Sequence, residues 1–288
     1  MNKILILGQS SFLGSEFDNF IKNREIDILT LDRKFSTNDI MSLDDKEFCN
    51  KYFRFIENDI DLIINYLYVH ETDQNSEKNI NIELIKKIIF VIKNKNIKKH
   101  IYISTNRAFK NTKNEYGKIK LECENLIQQH NTNYNIIRPS TVIKKTKNSY
   151  IGGYKGITIK KLLKFINKYK ILPIPGNGDY IHTYCFIENL NEFIFFIYKD
   201  NSFDKKIINF YSGEKLTFVQ FLFKINNNKK VFFIRIPIIL LKFISYFLKS
   251  ILRINNQINN NFNNLINEEI EYDFNHQIIK IMELKKMV

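Results

Sequence analysis

Gly8-Gln-Ser-Ser-Phe-Leu-Gly14 stands between an apolar, strand-length run, Lys3–Leu7, and a helix-length segment, Leu13–Lys22. Few backbones accommodate that placement. Glycines let the chain turn sharply at the end of a strand and approach a ligand closely, and a helix that begins there aims unpaired N–H groups and the positive end of its dipole at the turn. A phosphate is stabilised at such a place. The loop therefore predicts the first strand, turn and helix of a parallel sheet that binds a dinucleotide at its pyrophosphate. Ser11 takes the middle position of the Gly-x-x-Gly-x-x-Gly spacing, where a side chain crowds the phosphates.

The rest of the first half supports this start. Strand-like runs at Asp27–Leu31, Leu62–Tyr66, His100–Ser104 and Asn135–Arg138 alternate with helical segments at Asn81–Asn94 and Tyr116–His130. Alternation of that kind builds βαβ units and a parallel sheet. The expected fold is α/β, a Rossmann doubly wound parallel sheet with a smaller C-terminal substrate-binding lobe. Texture changes after Arg138-Pro139, and Leu172-Pro-Ile-Pro-Gly-Asn-Gly178 is rich in turn formers. We place the Rossmann domain at residues 1–170 and a mixed α/β lobe at 171–288, with a diffuse boundary and some exchange of segments. The Asn-rich tract 255–264 reads as a polar loop.

Charge and cysteine content narrow the partners. The formal charge of +14 comes with a single alanine, Ala108, and with Lys, Asn, Ile and Phe throughout, a pattern of A/T-rich coding. The lysines are spread along the chain, so they read as solvated surface, and no nucleic-acid partner is expected. Cys49, Cys123 and Cys185 are far apart and have no metal-ligand spacing, which fits a reducing cytoplasm and no metal site. The apolar run Val231–Ile251 contains Arg235, Pro237, Lys242 and Lys249, so stable membrane insertion is not expected.

Two further clusters carry chemistry. Asp32 ends the second strand about 18 residues past Gly14, where a carboxylate hydrogen-bonds adenosine ribose hydroxyls and favours NAD. Arg33 and Lys34 follow at once and can pair with a 2′-phosphate, which keeps NADP open. Asn38-Asp39-Ile40 is placed to border the adenine. Tyr116 and Lys120 are four residues apart on one helix face, and a cation beside a phenol lowers its pKa and lets it trade a proton near neutral pH. Ser104 and Thr105 end the preceding strand and offer hydroxyls to a substrate oxygen.

In this order the motifs resemble the extended short-chain dehydrogenase/reductase superfamily, in particular its NAD-dependent epimerase/dehydratase branch acting on nucleotide sugars. Ile101-Tyr-Ile-Ser-Thr105 resembles the strand that ends in the family's catalytic Ser/Thr, and Tyr116 and Lys120 match its Tyr-x-x-x-Lys pair. Asn81 resembles the Asn that begins the family's dimer-forming helix, and Ile137-Arg-Pro-Ser140 is similar to the strand end that passes the nicotinamide. Phe186–Leu190 and Asn264–Tyr272 are similar to later segments of such enzymes.

The resemblance implies hydride exchange between a sugar and a nicotinamide. Tyr116 would be the acid or base, Lys120 would lower its pKa and hold the nicotinamide ribose, and Thr105 would bind the sugar oxygen. Cofactor contacts are expected from Gly8, Ser10, Ser11, Phe12, Leu13 and Gly14 in the loop, and from Asp32, Arg33, Asp39 and Ile40 beyond it. Further contacts are expected from Asn65, Tyr66 and Leu67 after the Leu62 strand, and from Asn81, Ser104, Lys120, Arg138 and Pro139. A homodimer with a nucleotide-sugar substrate, serving surface polysaccharide synthesis, completes the implied picture.

The chain also departs from the pattern. Asn65-Tyr-Leu-Tyr68 carries large side chains where small ones are usual, and only ten residues separate Thr105 from Tyr116. Asn106-Arg107 replaces the acidic pair of dehydratases, which disfavours elimination of water and leaves epimerisation or 4-keto reduction. An altered loop and a short catalytic segment also suit a second reading, a cofactor-binding sensor or scaffold with little turnover.

Overall fold

The computed structural model describes residues 3–240 apart from 23, 25, 32–34, 57–59, 72, 131–132, 153–157, 212–213, 228 and 238. Asp32, Arg33 and Lys34, the tract 255–264 and the segment 264–272 thus lie outside the described residues, as do residues 241–251 of the apolar run.

The chain opens with β1 (Lys3–Leu7), α1 (Phe12–Ile21) and β2 (Asp27–Leu31). It passes through α2 (Thr37–Ser42) and α3 (Asp45–Phe53) to β3 (Leu62–Asn65), and continues with α4 (Gln74–Asn94), β4 (Lys99–Ile103), α5 (Glu115–Gln129) and β5 (Tyr134–Pro139). Next come β6 (Thr141–Lys145), β7 (Tyr150–Gly152), α6 (Thr158–Tyr169), β8 (Ile171–Pro175), β9 (Ile181–His182) and β10 (Tyr184–Phe186). The last described elements are α7 (Ile187–Lys199), β11 (Lys206–Phe210), β12 (Leu216–Thr217), α8 (Phe218–Ile225) and β13 (Phe232–Ile236).

These elements form two compact units. Among the described residues, those up to Ser140 together with Ile187–Phe210 form the first, and Thr141–Phe186 with residues 211–240 form the second. The division therefore falls at Ser140, earlier than the residue 170 read from sequence, and the chain re-enters the first unit through α7 and β11.

The first unit holds a six-stranded sheet in the order β11-β5-β4-β3-β1-β2, with every pairing parallel. Strands in such a sheet are covered on both faces and therefore read as continuous apolar runs; Ile4, Leu5, Ile6 and Leu7 have no exposed surface at all. The order reverses about β1, so the carboxyl ends of β1 and β3 form a switch point. On one face α2, α3 and α4 bury Ile40, Phe48, Phe53, Leu84 and Ile88 against Leu5 and Ile63. Further along, α4 and α5 bury Ile85, Ile89, Ile119 and Ile127 against Tyr102 and Ile136.

Two local features differ from expectation for clear reasons. Asp44 and Glu47 form a reciprocal capping box that starts α3, and Asn38-Asp39-Ile40 lies within α2, so the stretch between β2 and β3 is helical. Asp73 caps α4 by accepting the Ser76 N–H at 2.7 Å, so that helix begins two turns before Asn81. The second unit contains three small sheets, β10-β6-β7, β12-β9 and β13-β8, with α6 and α8 packed around Leu163, Ile174, Tyr184 and Phe221.

His100 sits in β4 with no exposed surface, and neither ring nitrogen has a hydrogen-bond partner among the described residues. Burial without partners holds its pKa down at about 3. The unfolded chain then takes up a proton near pH 6.5 that the folded chain refuses, so stability is full above that pH and falls as pH drops toward 3. From pH 7 to pH 5 the loss should be about 2 kcal/mol, at about 1.4 kcal/mol per pKa unit. Urea unfolding at both pH values should show this difference in the native chain and its absence in His100→Leu. An equal pH response in both would show that another group titrates.

Candidate active site

At the end of β1 the chain turns at Gly8, which adopts φ +81 and lies beside Tyr66 and Leu67. A Cβ on Gly14 would meet the Gly8 carbonyl oxygen at 2.3 Å, so α1 can pack this closely on the turn only with glycine there. Ser11 is the N-cap of α1, and its hydroxyl accepts the Gly14 N–H at 3.0 Å. The serine in the middle of the motif thus engages one of the donors that a glycine would leave for an anion. Phe12 and Leu13 keep N–H groups with no acceptor inside the helix. Ser10 is exposed in the turn between them and Gly8.

The end of β3 borders this loop. The Tyr66 N–H donates to the Leu7 carbonyl, and the Asn65 carboxamide oxygen accepts the Leu67 N–H at 2.9 Å. Asn65 is fully buried, and its Nδ2 has no partner among the described residues. Asn81 is held by backbone partners. Its amide clamps Val69, accepting the N–H at 3.0 Å and donating to the carbonyl at 2.8 Å, and also donates to the Glu77 carbonyl. Its effect is to fix the loop that follows Asn65.

Two expected adenine neighbours are otherwise engaged. Ile40 is fully buried in the core under α2, because the helix turns its apolar side inward. Asp39 accepts from Lys51 at 2.7 Å and from the Tyr52 hydroxyl, and these bonds, Lys51 first, hold its carboxyl below the usual range.

The second cluster lies where β4 hands over to α5. Asn114 caps α5 by accepting the Gly117 N–H at 2.8 Å, which puts Tyr116 in the first turn, at the positive end of the helix dipole. A Cβ on Gly117 would stand 2.3 Å from the Arg107 carbonyl oxygen. Glycine therefore lets the loop after Thr105 lie flat on the turn that carries Tyr116. Thr105 is almost fully buried, and its hydroxyl accepts the Arg107 N–H at 3.3 Å.

Lys120 has only 2% of its surface exposed. Its ammonium donates to the Ile103 carbonyl at 2.9 Å and lies 4.5 Å from the ring of Tyr102 and 5.2 Å from that of Tyr68. Burial brings its pKa down to about 8, with Cys123 and Glu124 opposing the shift. The Tyr116 phenol moves the other way. Burial raises its pKa, and Arg107 is the cation that offsets this in part.

Arg138 and Pro139 are drawn inward. The Arg138 guanidinium makes a two-pronged pair with Glu124, at 3.0 Å from Nε and 2.5 Å from the terminal nitrogen, and the Ser104 hydroxyl donates to the same carboxylate. Pro139 is buried, and its carbonyl accepts the Asn106 N–H at 3.2 Å. Glu124 has no exposed surface, and burial raises its pKa against the pull of Arg138. Sequence reasoning passed over Glu124, and weighed Arg107 only as a departure from the acidic pair of dehydratases. Glu124 lies at the same four-residue interval past Lys120 as Lys120 past Tyr116, a stripe of polar groups that marks a shared buried face.

The first unit thus gathers a helix N-terminus with unpaired donors, a buried lysine, a phenol and a strand-end hydroxyl, the parts required for anion binding and for proton transfer at an alcohol or ketone oxygen. Residues 1–155 match the family model described as the RmlD substrate binding domain. That is more than half of the chain, and the chain belongs to this family. Among solved structures it is similar to a nucleoside-diphosphate-sugar epimerase from Staphylococcus aureus, at 11% identity and TM-score 0.66 over 98% of this chain and 96% of that one. A dTDP-4-dehydrorhamnose reductase from Bacillus anthracis, solved with NADP, matches at 18% identity and TM-score 0.63 over 82% and 85% of the two chains. A UDP-glucuronic acid 4-epimerase from Bacillus cereus, solved with NAD, matches at 17% identity and TM-score 0.63 over 81% and 87%. No curated protein matches the chain in sequence. The resemblance to the extended short-chain dehydrogenase/reductases, and the Rossmann-type fold that it implied, are borne out by these matches.

Among the described residues no group of His, Cys, Asp or Glu is arranged to hold a metal ion, and no helix is long and apolar enough to cross a membrane. Replacing Gly117 by Ala should push the Thr105–Arg107 loop off α5. An overpacked contact of this sort costs about 1–3 kcal/mol, so thermal melts should show a lower Tm for Gly117→Ala, with a smaller loss for Ala at Lys118, which is exposed.

Proposed function

We infer that the chain is an NAD(P)-dependent nucleotide-sugar ketoreductase or epimerase in which Thr105, Tyr116 and Lys120 form the reacting site. What supports the reading is the junction of β4 and α5, which carries the Thr105 hydroxyl, the Tyr116 phenol and the buried Lys120 in a chain of the RmlD family. The fit of a dinucleotide is supported at the pyrophosphate end by the open N–H groups of Phe12 and Leu13, and beside it by the unpartnered Asn65 Nδ2. Gly8, Ser10, Ser11, Phe12, Leu13 and Gly14 would hold the pyrophosphate, with Asn65, Tyr66 and Leu67 alongside. Lys120 would hold the nicotinamide ribose. When bound, the nicotinamide supplies a hydride donor or acceptor.

The electrostatics suit proton donation. A phenol whose pKa is raised by burial stays protonated, so Tyr116 is set to give a proton to a ketone oxygen, with Thr105 donating a hydrogen bond to the same oxygen. The Arg107 charge and the α5 N-terminus then stabilise the phenolate that results. An epimerase would need the same group as base in one half of its cycle. We place the enzyme in the cytoplasm, in synthesis of a surface polysaccharide, as a homodimer paired through α4 and α5. The alternative of a binding protein with little turnover draws support from Ser11, which occupies a loop donor, and from the covered Lys120 ammonium.

The test is a panel of UDP-, GDP- and dTDP-linked sugars and 4-keto sugars with NADH or NADPH, read by product analysis. Wild type should convert at least one, and Tyr116→Phe should lose about 100-fold or more, the usual scale of a positioned acid. Binding of NADH without any conversion would favour the sensor reading, and conversion that survives Tyr116→Phe would remove the phenol from the mechanism. The Lys120 ammonium loses its proton as pH rises through about 8, so NADH binding should weaken above that pH in the native chain. Lys120→Met should show weak binding without this alkaline limb.

A further inference from the structure

The ring of Tyr68 lies against both members of the Tyr116–Lys120 pair. It meets the Tyr116 ring edge-on with centroids 4.7 Å apart, and the Lys120 ammonium stands 5.2 Å from its centroid. The other ring beside the ammonium, Tyr102, belongs to β4 and is fully buried, so it cannot move without breaking the sheet. Tyr68 is half-buried and sits in the connection between β3 and α4. Its backbone is nonetheless held on both sides, by the Asn65–Leu67 bond and by the Asn81 clamp on Val69. Its ring also packs on His70, with centroids 4.7 Å apart, and against the cluster of Ile85, Ile89 and Tyr102, so the side chain rather than the backbone is what must move to uncover the ammonium.

We propose that Tyr68 is a movable cover on Lys120, a ring that must swing aside before a nicotinamide ribose can reach the ammonium. The proposal rests on the dinucleotide reading of the site. One Lys120 proton is already given to the Ile103 carbonyl, and the remaining donors lie among aromatic faces, which attract a cation but accept no ribose hydroxyl's place while they cover it. Other enzymes with this pair are expected, from the resemblance, to have small residues here; the large ring is a property of this chain. A cation–π contact and an edge-to-face ring pair together favour the closed rotamer by roughly tenfold to a hundredfold. A ligand that needs the open rotamer has its apparent Kd raised by that factor, while a ligand that uses only the glycine loop does not.

The experiment compares NADH, which reaches both ends of the site, with ADP, which reaches only the loop. NADH binding is followed by its own fluorescence and ADP binding by calorimetry, for wild type, Tyr68→Ala, Tyr68→Val and Tyr68→Phe. The two truncations should bind NADH about tenfold or more tighter than wild type, with ADP affinity unchanged, and Tyr68→Phe should match wild type because the ring provides the cover. Unchanged ADP binding also certifies that a variant is folded. NADH affinity that stays the same or weakens in a truncation that still binds ADP overturns the proposal and leaves the dinucleotide reading intact. Wild type that binds neither ADP nor NADH overturns that reading, and the cover with it.

Discussion

A carboxylate with no exposed surface is tolerated only where donors surround it. Glu124 meets this condition with the Arg138 guanidinium and the Ser104 hydroxyl, and the three groups come from α5, from β5 and from the residue just past β4. Loss of one member of a buried pair leaves the other uncompensated, at about 3–5 kcal/mol. The cluster therefore fixes the rotation and height of α5 against the ends of two central strands. Tyr116 and Lys120 ride on that helix, and Thr105 follows Ser104, so the geometry of the candidate site depends on a charge pair that lies beneath it.

Two close backbone contacts set the rest. Gly14 on the Gly8 carbonyl and Gly117 on the Arg107 carbonyl each bring a helix start against the end of a strand. Both helices then present their first turn to the same edge of the sheet, where the dipoles favour negative charge. For α1 the charge would be a phosphate; for α5 it would be the phenolate left once Tyr116 has given up its proton. The two places are unequal in readiness, because the α1 turn retains unpaired donors whereas the Lys120 ammonium is boxed by rings.

Much of the fold was legible in the sequence. Residues 4–7 of β1 are apolar throughout because they are buried on both faces, and Asp27–Leu31, at the sheet edge, keeps an apolar run despite its exposed Thr30; both strands could be read to the residue, and β3, β4 and β5 to within one position at either end. Harder to read were elements whose position depends on contacts far along the chain. β11 joins the sheet beside β5 only after the chain has passed through the second unit, and nothing local to Lys206–Phe210 marks it as a central-sheet strand. Ile40 and Arg138 looked available for a ligand because a sequence shows residue type and order but not which side of an element faces the core.

The sequence by itself determined where the chain turns out of its first strand and what chemistry is present: glycines at positions 8 and 14, a phenol and a lysine one helical turn apart, and strand ends bearing hydroxyls. Such features are encoded locally, by steric allowance and by helical period. Only the tertiary structure decided how those groups are paired. It gave Arg138 to Glu124, brought Tyr68 edge-on to Tyr116, and laid the same ring over the Lys120 ammonium. Pairing of charges and rings depends on distances across elements and on what water can reach, and both exist only once the chain has folded.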